Sequence, residues 1–237
     1  RSPSAPPSPS IHRLDRPVGS AQDNWMNSQL SLVADERLSL VPDVEGGIWY
    51  QAGLVPHERQ RQWFEALLAG TAWRSERRPM YEREVDVPRL MASRALDAPD
   101  LPAPLAEALA ALRPVLAAPF THVGLNLYRD GRDSVAPHND RLPGLAPGQP
   151  IAILSLGDER EMLIRAKAPP HRPLRLPLAP GSLLVMSHAS QKTHEHGIPK
   201  SPRAVGPRIS LAFRVRAGAA NQPRMTPGQA SPLLQTK

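Results

Sequence analysis

Residues 121–128 read THVGLNLY and residues 208–215 read RISLAFRV. In the first, Val123, Leu125 and Leu127 alternate with Gly124, Asn126 and Tyr128; in the second, Ile209, Leu211 and Phe213 alternate with Arg208, Ser210 and Arg214. Successive side chains of a strand point to opposite faces, so a period of two predicts two strands, each with an apolar and a polar face. Between them, IAILSL (151–156) and EMLIR (161–165) are short apolar runs separated by the turn-like Gly157-Asp158, and GSLLVM (181–186) follows Pro180. Everything after Thr121 therefore reads as short strands. Helices are expected only upstream. In residues 56–69, Trp63, Phe64, Leu67 and Leu68 share a face and Gly70 supplies the stop; in residues 101–116, Leu105, Leu109 and Leu112 recur at helical spacing. Helices followed by many short strands predict an α+β fold whose sheet is a sandwich or barrel.

Composition narrows the chemistry. The chain has no cysteine, which excludes disulfides, thiolate catalysis and cysteine-ligated zinc or iron–sulfur centres. Any metal must be held by histidine nitrogen and carboxylate oxygen. With 29 basic and 22 acidic side chains the net charge is +7, a balance that favours polyanionic partners. No apolar run has the length of a membrane span and no signal-peptide core is visible, so an intracellular, cytoplasmic, monomeric protein is expected. Of 237 residues 29 are proline, more than an ordinary domain needs. Residues 1–25, rich in Pro, Ser and Arg, are read as a disordered leader, with Met26 a more natural start than Arg1. Residues 26–216 are read as the folded domain, and 217–237 as a disordered tail.

The segment APHNDR places His138 and Asp140 two positions apart, so on an extended backbone both point to one side and can grip one ion. A third ligand must come from elsewhere, and QKTHEHGIP offers His194 and His196. Two histidines and a carboxylate form the facial triad that leaves coordination positions open on non-haem Fe(II). On the last strand, Arg208 and Arg214 share the face opposite Ile209, Leu211 and Phe213. Guanidinium groups on an apolar strand are costly to bury unless an anion meets them, and a dicarboxylate co-substrate fits their planar fork. Asn126 and Tyr128 share one face of the earlier strand, just before the His138 loop.

Taken together, LNLYRDGRDSVAPHND, PIAILSLGDEREMLIR, GSLLVMSHASQKTHEHGIPK and PRISLAFR resemble the AlkB family of Fe(II)- and 2-oxoglutarate-dependent dioxygenases in order, spacing and local context, over residues 121–216. The resemblance implies a double-stranded β-helix (jelly-roll) core flanked by N-terminal helices. It implies His138, Asp140 and His196 as iron ligands, His196 being preferred to His194 because it directly precedes Gly197-Ile198-Pro199. His188 is read as a loop histidine. Asn126, Tyr128, Arg208, Ser210 and Arg214 match the family's 2-oxoglutarate pocket. The implied activity is oxidative demethylation of N-alkylated bases in DNA, with RNA second: 2-oxoglutarate and O₂ are consumed, succinate is formed, and the methyl leaves as formaldehyde. More loosely, residues 73–90 resemble a substrate-binding lid.

Two departures bear on substrate. Relatives place an acidic residue just after the metal-binding Asp, whereas here Arg141-Leu142-Pro143 follows Asp140. Relatives carry aromatic residues after the lid's Pro-Arg-Leu, whereas Pro88-Arg89-Leu90 runs into Met91-Ala92-Ser93-Arg94. Trp73 and Tyr81 are the candidate replacements. Arg74, Arg77, Arg78, Arg83, Arg89 and Arg94 are candidates for a phosphate-binding rim, diluted by Glu76, Glu82, Glu84 and Asp86; Lys167, His171, Arg172 and Arg175 form a second basic cluster. An oxygenase of a protein, lipid or small-molecule substrate is the competing reading. A non-catalytic nucleic-acid-binding protein is a second, which requires a broken triad or lost arginines, and neither is seen.

Overall fold

The computed structural model describes residues 37–80 and 83–218, over 76–86 in backbone only. The expected leader (1–25), most of the expected tail and Tyr81 lie outside the described residues. Twelve strands run β1 (Leu38–Val41), β2 (Ile48–Gln51), β3 (Arg74–Met80), β4 (Arg83–Ala95), β5 (His122–Tyr128), β6 (Val135–His138), β7 (Ile151–Gly157), β8 (Arg160–Ala166), β9 (Pro173–Leu178), β10 (Leu183–Met186), β11 (His194–Ile198) and β12 (Arg208–Arg214). Helices α1 (His57–Gly70) and α2 (Ala103–Leu112) precede β5, and a single turn, α3 (Ser190–Thr193), precedes β11.

The strands form two antiparallel sheets, one of order β1-β2-β10-β7-β12-β5-β4-β3 and one of order β6-β11-β8-β9. From β5 onward the chain passes repeatedly from one sheet to the other, which makes the core a double-stranded β-helix. The two strands with the clearest alternation, β5 and β12, are neighbours, with Arg208 opposite Tyr128 and Ser210 opposite Asn126.

Alternation places the core. Val123, Leu125 and Leu127 of β5, Leu154 and Leu156 of β7, and Ile209, Leu211 and Phe213 of β12 pack under α1 and α2 with Trp63, Leu67, Leu105 and Leu112. The opposite residues of the same strands, among them Tyr128, Ile151, Ile153 and Ala212, meet Met162, Ile164 and Ile198 of the smaller sheet. Strand β7 is thus buried on both faces, which explains why IAILSL reads as an unbroken run. Trp63 of α1 donates to Glu107 of α2 at 2.8 Å, clamping the helix layer.

The helices lie where periodicity puts them, with α2 shorter than residues 101–116 because Pro114 has no N–H and its ring blocks a further turn. Gly157 turns β7 into β8 at φ +83°, where a Cβ would stand 2.5 Å from the Pro207 oxygen and 2.6 Å from the Phe64 ring. The buried Gln60 of α1 accepts from the Gly157 N–H at 3.1 Å, joining helix layer to turn.

Other elements depart from expectation. Residues after Thr121 include α3 and a 3₁₀ turn (Leu142–Gly144) besides strands. The hairpins β1–β2 and β3–β4 are additional, because short or charged strands carry no period-two signal, whereas β9 falls where strands are expected although PLRLPL contains two prolines. Those prolines are tolerated because β9, like the Pro137-containing β6, is an edge of the smaller sheet. No helix among the described residues is long and apolar enough to cross a membrane.

Candidate active site

His138 ends β6 and His196 lies on β11, and the two are direct cross-strand partners. Their rings stand 4.5 Å apart between centroids, and Asp140 follows on the loop leaving β6. One ligand atom from each of His138, Asp140 and His196 lies within 4.8 Å of the others, a spacing suited to a single ion. His194 is not in this group; its Nδ1 meets Thr193 Oγ1 at 2.9 Å, and the charges acting on it are Asp43 and Lys167. His188 is buried and also lies outside the group. Pairing between β6 and β11 brings together groups that are far apart in the chain.

Each member is prepared by its surroundings. His138 Nδ1 lies 2.9 Å from the Ala136 carbonyl, which can only accept, so Nδ1 donates and Nε2 is the ring nitrogen left to face a ligand. Burial, helped by the neighbouring His138, pushes the His196 pKa down to about 4, so its imidazole is neutral at pH 7. Burial pushes the Asp140 carboxyl up, but the Arg214 guanidinium and the two imidazoles outweigh it and hold the group below the usual carboxylate range. Arg214 Nε donates to Asp140 Oδ2 at 2.6 Å. The Asp140 N–H donates to Gln191 Oε1 at 3.0 Å, and Gln191 is itself buried. The donor set of two imidazoles and one ionised carboxylate fits a divalent iron.

A second group of polar side chains faces the same space from the larger sheet. Arg208 is 1% exposed, donates from Nη2 to Ser155 Oγ at 2.9 Å, and lies 5.4 Å over the Tyr128 ring. Its Nε has no hydrogen-bond partner, and burial pushes its pKa down to about 10. Arg160 makes a useful contrast: equally buried, it spends its donors on the carbonyls of Asp130, Asp133 and Pro199. Arg160 therefore staples loops together, whereas Arg208 holds an unmet donor and a positive charge beside Asn126, Tyr128 and Ser210. A carboxylate satisfies both. Arg214, expected beside Arg208 in the co-substrate pocket, donates to the Asp140 carboxylate.

The space between is a cleft of about 1650 Å³, lined by β4, β5 and β12 on one side and by β6, Met162 of β8 and β11 on the other. Arg74, Arg94, Arg141 and Arg216 also line it. Arg89, expected on the rim, reaches inward and donates from Nε to Asn126 Oδ1 at 2.9 Å. Trp73, a candidate for stacking a base, turns the other way: it packs on the helix-side core and donates to the Leu68 carbonyl. The side chains of Arg77, Arg78, Arg83, Glu76, Glu82, Glu84 and Asp86 lie outside the described residues. The second basic cluster is held piecemeal: Lys167 donates to the Gln191 carbonyl, Arg175 pairs with Glu161, and His171 Nδ1 meets the Ala166 carbonyl at 3.2 Å. Arg172 is exposed. Sequence reasoning missed Gln191 and Ser155. Ser155 had a signal, as the one polar residue in IAILSL; Gln191 had none beyond standing near the distal histidine.

Comparison with known proteins agrees with this geometry. A family model described as the 2OG-Fe(II) oxygenase superfamily matches residues 89–214. The chain is 40% identical over 102 residues to the human DNA oxidative demethylase ALKBH2, covering 40% of this chain and 39% of that protein. It is 37% identical over 103 residues to the human alpha-ketoglutarate-dependent dioxygenase alkB homolog 3, covering 40% of this chain and 36% of that one. The match thus spans about two fifths of the length of these relatives. The solved structure of OsALKBH1 aligns with a TM-score of 0.52 at 17% identity, covering 76% of this chain and all of that one, a likeness of fold. Because the family model spans more than half of the chain, the protein belongs to the 2OG-Fe(II) oxygenase superfamily.

Proposed function

We propose that this chain is an Fe(II)- and 2-oxoglutarate-dependent dioxygenase that removes N-linked alkyl groups from nucleic-acid bases, in DNA first and RNA second. The observation that carries the reading is a two-histidine, one-carboxylate cluster sharing a cleft with a buried arginine whose Nε is unmatched. His138, Asp140 and His196 would hold the iron, Arg208 would pair with the far carboxylate of 2-oxoglutarate, and Tyr128, Asn126 and Ser210 would supply hydrogen bonds around it. Bound iron would supply the oxidising chemistry, with 2-oxoglutarate and O₂ as co-substrates: one oxygen atom of O₂ would go to succinate as CO₂ is lost, and the other into a substrate C–H bond.

The chain's own residues do the rest. Arg214 keeps Asp140 ionised, and Gln191 holds its backbone; the neutral imidazole of His196 offers a lone pair without first releasing a proton. An N–CH₂OH product breaks to N–H and formaldehyde, so the base is restored without attack by a protein nucleophile. To reach the cleft, a paired base must first leave its stack. Nucleic acid as substrate is supported by the sequence pI of about 10.5 and by Arg74, Arg94, Arg141 and Arg216 around the cleft. Arg141, standing where relatives have a carboxylate, favours the competing reading of a different substrate. We also propose that the protein acts inside the cell as a monomer.

The test is succinate formation from 2-oxoglutarate with Fe(II) and O₂, with and without N-methylated oligonucleotides, with His138→Ala as control. Turnover raised by methylated DNA or RNA and absent in the variant is the expected result. Iron-dependent turnover indifferent to every oligonucleotide moves the substrate to another class, and no iron uptake overturns the reading.

A further inference from the structure

We infer that Arg89 is a positioning residue that sets the orientation of the Asn126 amide, and so ties the β3–β4 hairpin to the 2-oxoglutarate pocket. This rests on the reading of that pocket given above.

A carboxamide can present either its oxygen or its NH₂ to a neighbour, and rotating it exchanges the two. Asn126 lies on the cleft face of β5, between Met91 of β4 and Ser210 of β12. Its Oδ1 accepts from Arg89 Nε at 2.9 Å. A guanidinium has donors only, so Arg89 can be met only by the oxygen. Nδ2 is thereby turned away from Arg89, and the amide offers donors to the rest of the cleft. Without Arg89 either rotamer is open, and in one of them a carbonyl oxygen confronts the carboxylates of the co-substrate. The same bond joins two elements. Arg89 belongs to β4, the inner strand of the hairpin flanking the cleft, whereas Asn126 belongs to the strand beside Arg208. Filling the co-substrate pocket therefore engages the hairpin through one hydrogen bond.

The experiment is a double-mutant cycle on binding, read in the Mn(II)-loaded protein without O₂ by isothermal titration with 2-oxoglutarate. Arg89→Met should weaken 2-oxoglutarate about tenfold in the unaltered background, the scale of one charge-assisted hydrogen bond. In the Asn126→Ala background the same substitution should change nothing further. Steady-state assays should place the loss on KM for 2-oxoglutarate more than on kcat. Amide exchange in residues 87–90 should slow on adding 2-oxoglutarate to the unaltered protein and stay constant in Arg89→Met. An undiminished effect of Arg89→Met in the Asn126→Ala background overturns the inference, since Arg89 would then act directly or through the hairpin's fold; so does an unchanged affinity in the single variant. No uptake of 2-oxoglutarate by the unaltered protein overturns the reading of the pocket and this inference with it.

Discussion

The two faces of the eight-stranded sheet are built from alternate residues of the same strands, yet they obey opposite rules. Toward the helices, Leu125, Leu154, Leu156, Ile209, Leu211 and Phe213 are fully apolar and at most 2% exposed. Toward the smaller sheet, apolar Ile151, Ile153 and Ala212 are interleaved with Asn126, Tyr128, Ser155, Arg208, Ser210 and Arg214. One face only removes apolar surface from water and contributes stability; the other adds to its apolar part a set of buried polar groups, one of them a cation with an unmet donor, which cost stability. The contrast teaches that the helix layer offsets what the cleft costs. A strand with period two is the least structure that can serve both ends.

That division is open to attack at several points, and the deepest effect is expected at the His138, Asp140 and His196 cluster. His138→Ala should abolish turnover, beyond the roughly 10–100-fold cost of losing an outer-shell partner, while leaving the unfolding midpoint of the metal-free protein nearly unchanged. A large loss of stability would show that the cleft face, too, holds the fold together. On the helix face, Phe213→Ala should cost about 3–5 kcal/mol in denaturant unfolding, with 2-oxoglutarate affinity of the folded fraction retained. Arg208→Met tests the opposite sign. Relief of a buried cation should leave stability equal or raised, while 2-oxoglutarate binding falls by about 2–5 kcal/mol. A destabilised but binding-competent Arg208→Met protein would make Arg208 a structural staple like Arg160. The smallest effect is expected from Gln191→Leu, which leaves the Asp140 N–H without its acceptor and should weaken metal binding about tenfold, measured by competition with a chelator.

Much of the architecture is legible in the amino-acid sequence because strands β5 and β12 and helix α1 combine a clear period with clear boundaries. The elements that escape have physical reasons. Four-residue strands such as β1 and β2 are too short to show a period. At the site, His138 and Asp140 are legible from their spacing, because i and i+2 share a side. Spacing does not choose between His194 and His196, since on one strand they share a side as well. Register with β6 separates them, placing His196 opposite His138. Trp73 meets a similar limit: composition shows a spare aromatic, and only packing shows that it belongs to the helix layer.

The sequence by itself therefore determined which residues lie on which face of β5 and β12, the absence of any thiol chemistry, and the kinds of donor available to a metal, because these follow from backbone period and side-chain type. Only the tertiary structure decided that Arg214 serves Asp140 while Arg208 stays unmatched, that Arg89 turns inward to Asn126, and that Gln191 supports the carboxylate loop. Those are pairings between strands and loops distant in the chain, and a hydrogen bond over 2.6–3.0 Å depends on how two sheets close on each other, which no local pattern encodes.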